Sequence, residues 1–293
     1  MKTDDIEDSS APLIEHLAEL RNRIMWSVGA FLVAMILCFV VAEPILDFML
    51  NPIEKAMRGL GNPNPVMQYT APQEYFFVLV QISVVAGLMV SFPVIAYHLW
   101  RFVAPGLYRS EKSAFLPFLI ASPVLFILGA AFAHYVVTPM AMAFFLGFAD
   151  AYSLLTALLP GMTAVPEGSV TEAATSTGID IVFQGKVNET LAISLTLIVA
   201  FGVCFQLPVL LTLMGKAGLA TSRGLAGMRR YAIVIILIVA AVVTPPDFMS
   251  QIILFVAVYP LYEISIFMIR RIEKRREAEA RADGTWVDED ETA

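Results

Sequence analysis

The run YAIVIILIVAAVVTPPDFMSQIILFVAVYPLYEISIFMI, residues 231–269, decides the fold. Its only charged residues are Asp247 and Glu263, and Thr244-Pro245-Pro246-Asp247 breaks it near the middle. Tandem prolines remove backbone donors and force a turn, so the run predicts two short helices rather than one long one. At 1.5 Å per residue the first, 231–246, reaches only about 24 Å, against a hydrocarbon core of ~30 Å. The hairpin is expected to stop short of one membrane face and to thin the bilayer there.

Upstream, stretches free of Asp, Glu, Lys and Arg cover 24–42, 75–100, 113–149 and 190–215. A spanning helix needs about 20 apolar residues, so each of these qualifies. Composition agrees: 58% of the 293 residues are hydrophobic and 15% charged, whereas soluble domains hold roughly 45–50% and about 25%. A water-soluble protein is excluded. The net charge of −7 gives no reason to expect nucleic acid as a partner. Cys38 and Cys204 both fall in apolar runs, so no disulfide framework is implied. The fold class is an all-α polytopic membrane protein with six transmembrane helices, helices 5 and 6 short. Pro93, Pro117, Pro123, Pro139 and Pro208 are expected to kink the spans that carry them.

Charge asymmetry sets the orientation. With six spans, the N-terminus, the 101–112 loop, the 216–230 loop and the C-tail lie on one side and hold sixteen of the nineteen Lys and Arg residues. The opposite side has Lys55, Arg58 and Lys186. Both termini are therefore expected in the cytoplasm. Five spans would place the cationic tail outside, which favours six. Asp4, Asp5, Glu7 and Asp8 at the start argue against a cleaved signal peptide and for an uncleaved anchor.

The chain divides into a cytoplasmic N-terminal tail and amphipathic helix (1–23), a six-helix domain (24–269) and a charged cytoplasmic tail (270–293). Residues 1–9 read as a disordered acidic lead. Ser10 is the expected N-cap and Pro12 the first-turn residue of a helix along the membrane surface, with Leu13, Leu17, Leu20 and Ile24 forming its apolar stripe. The external loops 43–74 and 149–189 are too apolar in places to float free and are expected to cap the outer helix ends.

The sequence shows no P-loop, no HExxH helix and no GxSxG elbow. His16, His98 and His134 fall in different segments and offer no metal spacing. No catalytic residues, metal or cofactor are expected, and work must draw on partners or the membrane potential. The remaining polar groups sit at or within the membrane. Glu19 and Arg23 stand at i, i+4, where an exposed pair contributes about 0–1 kcal/mol. Glu111 is flanked by Arg109 and Lys112. Gln206, roughly midway along helix 4, needs a partner or a water-filled cavity, and a helix–helix hydrogen bond is the plainest solution. Glu263 lies within two turns of Arg270 and can snorkel inward from helix 6. Thr244, Asp247 and Gln251 gather at the outer hairpin, Asp247 as a helix 6 N-cap or first-turn charge.

These residues carry a family resemblance. Pro12-Leu13-Ile14-Glu15-His16-Leu17-Ala18-Glu19-Leu20-Arg21-Asn22-Arg23 resembles the N-terminal signature of the TatC family of twin-arginine translocase proteins. Phe92-Pro93-Val94-Ile95, then Trp100-Arg101-Phe102-Val103-Ala104-Pro105-Gly106-Leu107-Tyr108 and Glu111, is similar to its first cytoplasmic loop. Phe205-Gln206-Leu207-Pro208-Val209 and Thr244-Pro245-Pro246-Asp247 with Ser250-Gln251 resemble its helix 4 and hairpin motifs. Together they cover roughly residues 10–270 in the family's order.

The resemblance implies a receptor in the bacterial inner membrane for signal peptides bearing paired arginines, working with TatA- and TatB-like single-span partners. It implies export of folded cargo driven by the proton-motive force, in a homo-oligomeric assembly surrounded by membrane lipids. Glu19 and Glu111 would face the two arginines, with Arg21, Phe102 and Pro52 as further signal-peptide positions. Gln206, Thr244 and Gln251 would meet a partner helix. Some relatives carry Glu where this chain has Gln206, a side chain that cannot ionise. The transferred role suits the chemistry, because carboxylates accept arginine bidentately where lysine offers a point charge.

The alternative is a six-helix secondary transporter with Gln206 and Glu263 lining a solute path. Such proteins show inverted repeats, whereas this chain offers one parallel echo, Phe92-Pro93-Val94-Ile95 against Leu207-Pro208-Val209-Leu210. An intramembrane enzyme would need a nucleophile–base or metal set that the sequence lacks.

Overall fold

The computed structural model describes residues 4–59, 64–103, 116–147, 185–244 and 248–282. Helix α1 (Asp4–Val40) leads into α2 (Ala42–Gly59), and α3 (Pro72–Val103) follows. The third apolar stretch is α4 (Leu116–Phe132), a π-helical turn (Ala133–Val137) and α5 (138–147). Next come α6 (Val187–Cys204), α7 (Leu207–Lys216), α8 (Ser222–Gly227), α9 (Arg229–Val243) and α10 (Phe248–Ala282). The strands among the described residues are β1 (Met67–Gln68) and β2 (Gly185–Lys186), a parallel bridge joining the outer end of α3 to that of α6.

Five stretches are long and apolar enough to cross a membrane: Ala18–Val40, Pro72–Arg101, Pro117–Gly147, Val187–Lys216 and Ser250–Glu279. The sixth apolar segment, α9, has 15 residues and extends about 22 Å, below a bilayer's ~30 Å. Its shortness follows the sequence expectation; the length of α10 does not. Instead of a short helix 6, α10 runs for 35 residues. Beyond Ile269 its Arg, Lys and Glu residues continue the helix in water, with Arg275 Nε donating to Glu279 at 2.8 Å, one turn on.

The N-terminus also differs from expectation. Helix α1 begins at Asp4, so residues 4–9 are helical, and Ser10 and Pro12 lie inside the helix rather than at its cap. Four acidic residues near a helix N-terminus are favoured by the macrodipole, which lets the helix start ahead of Ser10. Residues 43–74 are likewise not a loop throughout. Helix α2 buries Leu46, Met49, Ile53 and Met57 and docks through Phe48, whose ring stacks on His134 at 4.5 Å. The expected cap at 149–189 lies outside the described residues over 148–184.

The prolines expected to kink the spans sit in different local settings. Pro93 and Pro123 sit within unbroken helices, and Pro117 falls in the first turn of α4, where its missing N–H costs nothing. Pro139, two residues past the π turn, and Pro208, after the interruption at Phe205-Gln206, accompany departures from α geometry.

The main core joins α3, α4, α6, α9 and α10 through Val78, Ile82, Ala130, Phe201, Ala240 and Val258. Without water to drive helices together, close backbone approach supplies the packing. A Cβ on Gly129 of α4 would fall 2.5 Å from the Phe201 carbonyl oxygen of α6. One on Gly87 of α3 would fall 2.7 Å from Met35 Cα of α1. A second cluster, Ala96, Trp100, Phe118, Val209 and Leu213, closes the inner end of α3, α4 and α7.

Candidate functional site

At the inner end of α1, Glu19 accepts a hydrogen bond from Arg23 Nε at 3.2 Å, and Arg23 Nη2 also bonds the same oxygen. The Arg23 side chain is only 13% exposed and that of Glu19 42%. The carboxylate thus already holds a guanidinium while staying within reach of solvent. Arg21 is exposed on the same helix. Phe102 belongs to the last turn of α3, and Glu111 lies outside the described residues. Pro52 is elsewhere: it is buried in α2, past the outer end of α1. Glu19 and Val40 are separated by about 32 Å of helix, so Pro52 and Glu19 do not share a surface.

Midway through the bundle, α6 ends at Cys204 and α7 starts at Leu207, leaving Gln206 in the turn between them. Its Nε2 donates to the Ser122 carbonyl at 2.8 Å, and Ser122 Oγ donates to its Oε1 at 2.6 Å. Ser122 precedes Pro123 on α4, so the amide bridges α4 to the break between α6 and α7. The helix–helix hydrogen bond expected as the plain solution is present, inside the chain. Thr244 Oγ1 donates to the Ala240 carbonyl at 2.9 Å, and Gln251 Nε2 donates to the Leu237 carbonyl at 3.3 Å, bracing α9 against α10. Asp247 lies outside the described residues. Beside the α6–α7 turn, Phe132, Phe205, Ile252, Ile253, Val256 and Ala257 line an apolar groove of about 430 Å³.

Glu263 is paired across helices. It accepts from Arg229 Nε at 2.7 Å and Nη2 at 2.9 Å, with Tyr259 Oη donating at 3.1 Å. The fork reaches across from the start of α9, a geometry that Arg270, further along Glu263's own helix, does not supply. Gln206 and Glu263 are thus bonded to different helices, the one to α4 and the other to α9.

Sequence reading missed the inner clamp. Arg276 Nη2 donates to the Lys216 carbonyl at 2.6 Å, at the C-terminus of α7. The Glu273 carboxylate accepts from Ser222 N at 2.8 Å and from Ser222 Oγ at the start of α8. Tyr262 Oη donates to the Leu225 carbonyl at 2.8 Å. Lys216 Nζ in turn stands 5.0 Å from the centre of the Phe118 ring. Gly218, at φ +75°, turns the chain after α7, with Leu219 N donating to the Met214 carbonyl. The one sequence signal was the mixed run of Glu, Lys and Arg over 270–281.

Comparison with known proteins gives one consistent result. The family described as Sec-independent protein translocase protein (TatC) matches residues 15–256. The protein of that name from Magnetococcus marinus is 41% identical over 97% of this chain and 93% of its own length. The one from Aquifex aeolicus is 35% identical over 88% and 94%. A crystal structure of a twin arginine translocase receptor, TatC, superposes with a TM-score of 0.67 at 35% identity, covering 87% of this chain and 98% of the other.

Proposed function

The chain belongs to the TatC family of Sec-independent protein translocase proteins, and on that premise we propose that it is the core receptor of a twin-arginine translocase. It is a multi-pass membrane protein and not an enzyme. It reads the arginine pair of signal peptides on folded cargo with Glu19 and Glu111 at the inner surface, Arg21 and Phe102 standing beside them. Pro52, at the far end, meets a later part of the same peptide. Export is driven by the proton-motive force together with TatA- and TatB-like single-span subunits. The chain sits in the bacterial inner membrane with both termini cytoplasmic, α9 forming the sixth, short span. Its copies assemble with one another among membrane lipids, and α1, whose Met25, Leu32 and Ile36 are exposed, offers an apolar flank for neighbours.

The observation that carries this reading is the Glu19 carboxylate, which already binds a guanidinium and remains 42% exposed. Arginine's planar fork satisfies such an acceptor where a lysine ammonium leaves part of the geometry unused. A charge-assisted hydrogen bond contributes about 1.5–3 kcal/mol, enough for each carboxylate to discriminate without supplying the whole affinity. The test is direct binding of a twin-arginine signal peptide and of its lysine-pair version to the purified protein, to Glu19→Ala and to Glu111→Ala. We expect the arginine peptide to bind each variant about tenfold or more weakly, and the lysine peptide to bind weakly throughout. Equal affinity across the set ends the recognition role.

The apolar groove beside Phe205 and Val256 supports contact with a partner helix near Gln206, Thr244 and Gln251. Photocrosslinkers placed along α9 and at Ile252 should capture a TatA- or TatB-like subunit. Adducts with lipid alone would remove that contact.

A further inference from the structure

At the opposite end of the molecule from Glu19, the outer start of α3 carries a cavity of about 560 Å³ lined by Tyr69, Thr70, Ala71, Pro72 and Tyr75. The Tyr69 and Tyr75 rings form two of its walls, with centroids 6.0 Å apart and planes inclined at 47°. Its backbone is fixed. The Glu74 carboxylate accepts from Thr70 N at 2.7 Å, Thr70 Oγ1 at 3.1 Å and Ala71 N at 3.3 Å, and the preceding residues are tied to α6 by the Met67–Gly185 and Gln68–Lys186 pairing.

The rim is acidic. Tyr75 Oη donates to Glu43 Oε1 at 3.5 Å, and Asp47 stands one turn further along the same face of α2. Like charges at i, i+4 destabilise a helix. Among the described residues no Lys or Arg forms an ion pair with either: Arg58 pairs with Glu54 at 2.9 Å and Lys186 with Glu189 at 3.4 Å. Two carboxylates beside two aromatic faces make a receptor for a cation, since aromatic rings attract ammonium groups within about 6 Å of their centroids.

The surroundings identify the cation's carrier. Pro72 opens a membrane-crossing stretch, so the cavity sits at the lipid boundary, where tyrosines concentrate. One turn inward from Pro72, Phe76 packs edge-on against Phe39 of α1 at 6.1 Å and against Phe77 at 5.7 Å. All three rings are exposed, by 40% for Phe39 and 54% for each of the others. An acidic, aromatic pocket thus continues directly into an apolar aromatic wall.

We propose that this pocket seats the headgroup of a phosphatidylethanolamine-type phospholipid, its ammonium held by Glu43, Asp47, Tyr69 and Tyr75 and its acyl chains lying along Phe39, Phe76 and Phe77. A primary ammonium brings three donors, which the Glu43 and Asp47 carboxylates accept. A choline headgroup keeps the ring attraction and loses those hydrogen bonds. An anionic headgroup meets like charge.

The test is native mass spectrometry of the full chain in detergent, titrated separately with phosphatidylethanolamine, phosphatidylcholine and phosphatidylglycerol of the same acyl chains. Wild-type protein should retain phosphatidylethanolamine about fivefold better than phosphatidylglycerol, with phosphatidylcholine between them. The double variant Glu43→Gln/Asp47→Asn should lose that preference while retaining phosphatidylglycerol at least as well as wild type does. Tyr75→Phe, which keeps the ring and removes the hydroxyl beside Glu43, guards against a folding artefact and should reduce the preference only in part. Equal retention of the three lipids by wild-type protein, or an unchanged preference in the double variant, overturns the proposal. Displacement of the lipid by an equimolar amount of free ethanolamine would assign the pocket to a soluble amine and overturn it too.

Discussion

Gln206 and Ser122, 84 residues apart in sequence, hold each other by two hydrogen bonds, amide to carbonyl and hydroxyl to amide, at 2.8 and 2.6 Å. The pair joins α4 beside Pro123 to the interruption between α6 and α7 beside Pro208. Polar pairs of this kind in membrane helices contribute about 0.6 kcal/mol on average, with a maximum near 1.7. A double-mutant cycle on Ser122→Ala and Gln206→Leu, followed by unfolding in mixed detergent, should give a coupling of about 0.6 kcal/mol or more, carried by the hydroxyl–amide bond alone, since the Ser122 carbonyl survives the substitution. Strict additivity, within about 0.3–0.5 kcal/mol, would mean that the two side chains act independently.

The glycines supply an internally controlled comparison. Gly87→Ala sets a methyl 2.7 Å from Met35 Cα, whereas Gly29→Ala on α1 meets nothing within 4 Å. Inserting a methyl into a filled contact costs typically about 1–3 kcal/mol, while Gly→Ala in an open helical position gains about 0.4–1 kcal/mol. Thermal unfolding should rank Gly29→Ala at or above wild type and Gly87→Ala clearly below. The reverse order would show that α1 is not seated on α3 at Gly87.

These two cases mark what the sequence could and could not reveal. Charge-free runs exposed the long spans because composition alone decides solubility in lipid. The brevity of α9 was legible because Pro245 and Pro246 punctuate it. Helix α2 was hidden by Pro44, Pro52, Pro63 and Pro65, although Leu46, Met49, Ile53 and Met57 already had helical spacing. Ser122 was invisible as a partner because nothing local distinguishes a serine bonded to its own backbone from one that meets Gln206 across the bundle. The partner of Glu263 was hidden for a related reason: Arg270 is near along the chain, but Arg229 is the side chain that meets it in space. Glu19, whose partner lies one turn away, was the site residue that local reasoning could place.

The inner clamp makes a prediction about order. Glu273 satisfies Ser222 N at the start of α8, and Arg276 satisfies the Lys216 carbonyl at the end of α7. Hydrogen bonds to a charged group contribute about 1.5–3 kcal/mol. In Glu273→Ala, amide hydrogen exchange over Ser222–Gly227 should accelerate about tenfold or more, while exchange over Leu191–Phe201 in the core stays unchanged. Unaltered exchange over the α8 segment would show that the α10 extension lies against it without holding it.

Arg23 makes the sharpest prediction, because it occupies the acceptor that the proposed recognition requires. If Glu19 binds a guanidinium from an incoming signal peptide, Arg23 is its internal competitor, and the peptide must displace Arg23 or share the carboxylate with it. Arg23→Gln leaves the helix intact and removes the competitor, so affinity for a twin-arginine peptide should rise several-fold, while Arg23→Lys, a point-charge rival without the guanidinium fork, should fall between. Adding Glu19→Gln to Arg23→Gln should abolish the gain, which separates an effect at this carboxylate from a general loss of positive charge nearby. Raising the salt concentration should shrink the differences among these variants, since half-exposed charges are screened over about 10 Å at 0.1 M ionic strength. A fall in peptide affinity on Arg23→Gln would instead make Arg23 a contact for the peptide and Glu19 its support, reversing the roles assigned to the pair.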